Sequence, residues 1–159
     1  MRWSAWRDIG ALVLLVGAGQ LAGLPAAAQS ISTAAQLAFG ALIAGGGGAV
    51  VVAPGGGRSR VGGVMLVGQG AQGAAAQFII TAAANTSYSV TLPADNTVWL
   101  RHENGQAMAV SGFSCSPGVA GTMPMAGTQL LSVGATLAVG SGQPAGVYTG
   151  SFTVTLNHQ

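Results

Sequence analysis

From residue 29 onward, apolar and small polar residues alternate with a period of two in one run after another. The clearest run closes the chain: Gly146, Tyr148, Gly150, Phe152, Val154, Leu156 and His158 share one face, with Thr149, Ser151, Thr153 and Thr155 on the other. Successive side chains of a strand point to opposite faces, so this spacing predicts a strand with one buried side. Threonine on the open side favours the pleated backbone through its β-branch. The same alternation marks Tyr88, Val90 and Leu92; Val133, Ala135, Leu137 and Val139; Val50 and Val52; Phe78 and Ile80; and Ile31, Thr33, Ala35, Leu37 and Phe39. Turn-forming clusters rich in Gly, Pro, Asn and Ser separate these runs at 45–48, 54–57, 62–63, 93–96, 104–105, 116–118 and 140–144. Short strands at this spacing predict an all-β antiparallel sandwich or barrel. The small-residue stretches 40–48 and 68–77 are compatible with strand, loop or bulge alike.

The first residues follow a different rule. Arg2 and Arg7 precede an apolar and small-residue stretch from Ile9 to Leu24, and Pro25 and Ala26-Ala27-Ala28 follow. A basic start, an apolar middle and small residues at the end are the order of a cleavable secretory signal peptide, with the cut expected before Gln29. Gly17, Gly19, Gly23 and Pro25 weaken the stretch as a membrane helix and no basic stop-transfer cluster follows, so no membrane span is expected after cleavage. Removal of residues 1–28 from the 159 leaves 131, the size of one domain.

Charge is scarce in that domain. It has no lysine, three arginines (Arg58, Arg60, Arg101) and two acids (Asp95, Glu103), which is far from the basic stripe that nucleic acid requires. A surface with so little net charge does little to oppose association. Cys115 is the sole cysteine, so no disulfide can form within the chain, and it reads as a small buried apolar residue.

Catalytic chemistry finds few candidates, and no enzymatic activity and no cofactor are expected. Asp95 lies in Leu92-Pro93-Ala94-Asp95-Asn96, where Pro and Asp serve a turn. Gly112-Phe113-Ser114-Cys115-Ser116 lacks the second glycine of a nucleophile elbow. His102 and Glu103 are adjacent and so point to opposite faces of a strand, with no second ligand at metal spacing. The run from Ala44 to Gly48 lacks the Lys-Ser/Thr end of a phosphate loop. Arg58 and Arg60, after Gly55-Gly56-Gly57, are candidate contacts for an anionic sugar or lipopolysaccharide, although an exposed hairpin carries such residues without any ligand.

Leu37-Ala38-Phe39-Gly40, Tyr88-Ser89-Val90-Thr91-Leu92-Pro93 and the stretch from Gly146 to Thr155 (Gly-Val-Tyr-Thr-Gly-Ser-Phe-Thr-Val-Thr), in this order and spacing, resemble the bacterial DUF4402 family. The resemblance implies an exported Gram-negative protein with an immunoglobulin-like β-sandwich of unknown function, similar at its end to fimbrial subunits and spore-coat-protein-U-like domains. Pilins carry a glycine fourteen residues from the carboxyl end and a penultimate aromatic residue; here Gly146 holds the first position and His158 replaces the second. In pilins this strand borders a groove that a partner's strand fills.

By that likeness Gly146, Tyr148, Phe152, Val154, Leu156 and His158 form a candidate assembly strand, and Ile31, Thr33, Ala35 and Leu37 a candidate donor. Two departures stand against it. Only about eight residues precede Leu37-Ala38-Phe39-Gly40, and the same residues cannot serve as both first strand and donor; pilins also commonly carry a disulfide. The leading expectation is an exported, cell-surface structural or adhesive subunit, in the periplasm, on the outer surface or outside the cell, that assembles with itself or with other surface subunits. The alternative is a monomeric binding module for a glycan or other anionic envelope ligand.

Overall fold

The computed structural model describes residues 29–68 and 72–158, with the side chain of His158 outside that set; residues 1–28, on which the expectation of a signal peptide rests, lie outside it as well. Among the described residues there are twelve strands and no helix. They are β1 (Ser30–Ala35), β2 (Leu42–Ile43), β3 (Gly48–Val52), β4 (Arg58–Gly62), β5 (Met65–Leu66), β6 (Ala76–Thr81), β7 (Ser87–Thr91), β8 (Val98–Arg101), β9 (Ala107–Ser116), β10 (Ala120–Thr122), β11 (Thr128–Val139) and β12 (Thr155–His158). Every pairing is antiparallel, so the all-β architecture read from the alternation is the architecture found.

A seven-stranded sheet is organised around β11, and a three-stranded sheet has the order β10-β7-β12. On one flank β11 pairs with β9, and β8 lies beyond. On the other it pairs first with β6 through residues 128–133 and then with β3 through residues 135–139. The change of partner falls at Gly134, where a Cβ would strike the Val52 carbonyl oxygen and come within 2.8 Å of the Pro54 nitrogen. Only a residue without a side chain lets the two neighbouring strand ends meet there.

The inward faces follow the sequence pattern. β11 buries Leu131, Val133, Ala135, Leu137 and Val139; β3 buries Val50 and Val52; β6 buries Ala76, Phe78 and Ile80; and β7 buries Tyr88 and Val90 from the smaller sheet. These side chains form one core, which also holds Met123, and no buried polar or charged residue occurs among the described residues. Each fully buried Val, Leu, Ile or Phe contributes about 1.5–3 kcal/mol, so this core is the main source of stability.

β9 changes phase along its length. Met108 and Val110 face the core, and further on Phe113 and Cys115 do. The cause is a bulge: the register with β11 shifts between Gly134 and Thr136, placing Gly112 and Phe113 opposite a single partner residue, and Gly112 has φ of 60°. One extra residue reverses the side of every later side chain. The Gly112 N–H donates to the Asp95 carboxylate at 2.7 Å. Asp95 therefore does more than make its own turn, since it holds a bulge seventeen residues away in sequence.

The N-terminal and C-terminal runs depart from expectation. The candidate donor residues belong to the domain's own sheet: Ile31 pairs with Ile80, Thr33 with Phe78 and Ala35 with Gln77, and Leu37 packs half-buried against the core. They are a first strand and not a free extension. The C-terminal run is not one continuous strand either, because only Thr155–His158 is paired with β7, in the register Thr155 to Thr91 and His158 to Tyr88.

Candidate functional site

The C-terminal run begins at one sheet and ends at the other. Thr149 forms an isolated two-bond bridge with Arg101 at the end of β8, Arg101 N–H to Thr149 O at 2.7 Å and Thr149 N–H to Arg101 O at 2.9 Å. Six residues later the chain joins β7 as β12. Residues 150–154 lie between the two sheets and make no main-chain hydrogen bond to any other described residue. A strand in mid-crossing cannot keep step with either ladder.

Side-chain packing holds this crossing instead. Phe152 and Val154 are buried, and Tyr148 and Leu156 are half-buried against the core, while Gly146 and Gly150 are exposed. The Phe152 ring lies edge-on to Phe78 with centroids 6.3 Å apart, and 5.2 Å from Phe113 at a 43° tilt. The predicted face is therefore the buried one, although the backbone pairing differs. Beside the crossing lies an open depression lined by Thr91, Leu92, Pro93, Thr97, Val98 and residues Ser151 to Thr153, with no charged side chain on its walls.

Tyr148 anchors the start of the crossing. Its hydroxyl donates to the Pro144 carbonyl at 2.9 Å and accepts from Gln143 Nε2 at 3.0 Å. The hydroxyl thus returns to backbone four residues upstream and fixes the ring before the crossing begins.

A family model described as a domain of unknown function (DUF4402) matches residues 30–158. The chain belongs to the DUF4402 family. The match covers all twelve strands, so the likeness carried by the Leu37, Tyr88 and Gly146 segments extends over the whole described domain. A search of the curated proteins and a search of the solved structures each returned no match. These comparisons bring no likeness to fimbrial subunits, and membership of DUF4402 brings no activity with it.

In this DUF4402 domain the two arginines of β4 are turned to structural work. Arg58 is half-buried and its guanidinium donates to the carbonyls of Phe39 (2.9 Å), Ala41 (3.3 Å) and Val67 (3.0 Å). Arg60 donates to Val64 O at 3.0 Å and Gly62 O at 3.4 Å. Arginine has five N–H donors in a fixed fork, and three carbonyls from two loops already engage that of Arg58. The pair clamps the segments around β2 and β5 onto the edge of the sheet. Nothing in the sequence near Arg58 signals this, because its partners are distant backbone oxygens.

The remaining polar groups of the DUF4402 domain gather elsewhere. Cys115 is half-buried on the inner face, and burial pushes its thiol above the usual range. Burial, and secondarily the neighbouring Cys115, does the same to the Tyr88 phenol. Tyr88 of β7 and Cys115 of β9 pack on the same core, so the two sheets face each other across it. His102 lies against Tyr148 with ring centroids 5.1 Å apart, and it lines an open depression together with Arg101, Glu103, Gly146, Val147 and Thr149. No group of three His, Cys, Asp or Glu side chains placed to hold a metal ion occurs among the described residues.

Proposed function

We propose that this protein is an exported structural or adhesive subunit of the cell surface that joins copies of itself, or other surface subunits, by β-strand addition at the crossing formed by residues 150–154. The supporting observation is the combination found there: side chains locked into the core, main chain outside both ladders, and an uncharged depression alongside. Unpaired backbone at a sheet margin is a template for another strand, and soluble domains commonly protect it with charge or proline. Here the flanking side chains are Ser151, Thr153 and Thr155. The scarcity of charge over the whole domain acts in the same direction, since little repulsion opposes close approach of two copies. Export by the signal segment places the domain where such assemblies stand.

Light scattering on the purified protein over a wide concentration range tests the reading, with Ser151→Lys and Thr153→Lys as partners. Both side chains are exposed, so a lysine there charges the margin and leaves the core intact. The wild type is expected to form oligomers that the two variants fail to form. A wild type that stays monomeric throughout, or variants that assemble as well as it does, overturns the proposal. The reading as an anion-binding module draws no support from Arg58, whose Nη1 and Nη2 already serve backbone carbonyls; Arg60 is exposed and engaged through Nη1 alone.

A further inference from the structure

After residue 28 the sequence has seven Arg, His, Asp and Glu side chains. Arg58, Arg60 and Asp95 are engaged by the backbone. Arg101, His102 and Glu103 stand together on one open depression, with Thr149 and Val147 beside them. We propose that this depression binds a neutral saccharide, a role independent of the assembly margin.

The backbone around it and the His102 ring are held in place before any ligand arrives. The backbone of Arg101 is fixed on both sides, by Ala107 of β9 and by the two hydrogen bonds exchanged with Thr149. The His102 backbone N–H donates to Gln106 O at 2.8 Å, and its Nδ1 accepts from the Asn104 N–H at 3.2 Å. Its ring packs on Tyr148, itself tied to Pro144 and Gln143. Gly146 closes over the other edge of the imidazole, where a Cβ would overlap Nε2.

The chemistry of the lining selects the ligand. Arg101 donates, Glu103 accepts, the Thr149 hydroxyl does both, and the His102 ring forms part of the wall. A sugar presents vicinal hydroxyls that each donate and accept, together with an apolar C–H face, which the exposed Val147 side chain can meet. The formal charges of Arg101 and Glu103 cancel, so an anion attracted by one is repelled by the other. Such a site fits a neutral sugar better than a phosphate or a uronate. Its openness suits one residue of a longer chain rather than an enclosed small molecule.

The test is an amide-shift titration of isotopically labelled protein with maltoheptaose, a chito-oligosaccharide and a manno-oligosaccharide, alongside oligogalacturonate and inorganic phosphate. At least one neutral oligosaccharide is expected to shift residues 101–103 and 146–149 in a saturable way. Arg101→Gln and Glu103→Gln should each weaken that binding about tenfold, the effect of losing a hydrogen bond to a charged group. Thr153→Lys, which addresses assembly, should leave it unchanged. Absence of shifts with every neutral sugar, stronger shifts with either anion, or undiminished binding by both Gln variants overturns the proposal.

Discussion

Replacing Phe152 with Ala separates side-chain anchoring from backbone pairing in the crossing. The ring is 9% exposed and meets both Phe78 and Phe113. Truncating a buried Phe to Ala costs about 3–5 kcal/mol. Each aromatic pair carries about 0.5–1.5 kcal/mol beyond its buried area, which places this site toward the upper end. The neighbouring main chain has no ladder bonds through 150–154 to compensate. Against a typical net stability of about 5–15 kcal/mol, the variant loses a third of the total or more. The thermal midpoint should fall by roughly 15 °C. Urea and thermal unfolding followed by circular dichroism measure this directly, with Thr153→Ala on the exposed face as a control expected to stay within about 0.5 kcal/mol of wild type. A Phe152→Ala loss below about 1 kcal/mol would refute the reasoning, since it would mean that something other than ring packing fixes the crossing.

Two further outcomes follow from side chains with long-range partners. Arg58→Lys keeps the charge but replaces a planar fork by a single ammonium, so it cannot reach the carbonyls of Phe39, Ala41 and Val67 together; urea unfolding should show a loss of about 1–3 kcal/mol, and a neutral result would remove the clamp from the account. Cys115 and Tyr88 both have raised folded-state pKa values, so the unfolded chain releases their protons first and stability must fall as pH rises through the usual thiol and phenol ranges, about 8.5 to 10. A urea midpoint that holds constant across that window in wild type, or that falls as steeply in Cys115→Ala, would contradict the burial of the thiol as the cause of its share.

The inward faces were legible because period-two alternation is a local property: Val50, Val52, Phe78, Ile80, Tyr88, Val90 and the odd residues of β11 from Val133 onward all fall where the pattern puts them. Even the bulge left a trace, since the apolar phase passes from Met108 and Val110 to Phe113 and Cys115 across Gly112. What the pattern does not encode is which strand accepts which. Alternation gives the C-terminal run the same face whether it pairs with β8, with β7 or with neither, and so the crossing between sheets was invisible. The same limit applies to β1, whose alternation suits a donor and a resident strand equally. Polar roles were less legible still. Asp95 bonds an N–H seventeen residues away, Arg58 reaches carbonyls nine to nineteen residues distant, and His102 meets Tyr148 only because β8 bridges to Thr149. These are products of topology, with no spacing rule to reveal them.

The central position of β11 governs when this protein can fold. β3, β6 and β9 all dock on a segment that starts at residue 128, so a chain emerging from its amino end accumulates strands with no common partner until most of its length has appeared. Pairings across such separations form slowly, because a long loop must close before any contact rewards it. The β3–β4 and β8–β9 pairs can form earlier, and the arrival of one twelve-residue strand joins them into a single sheet.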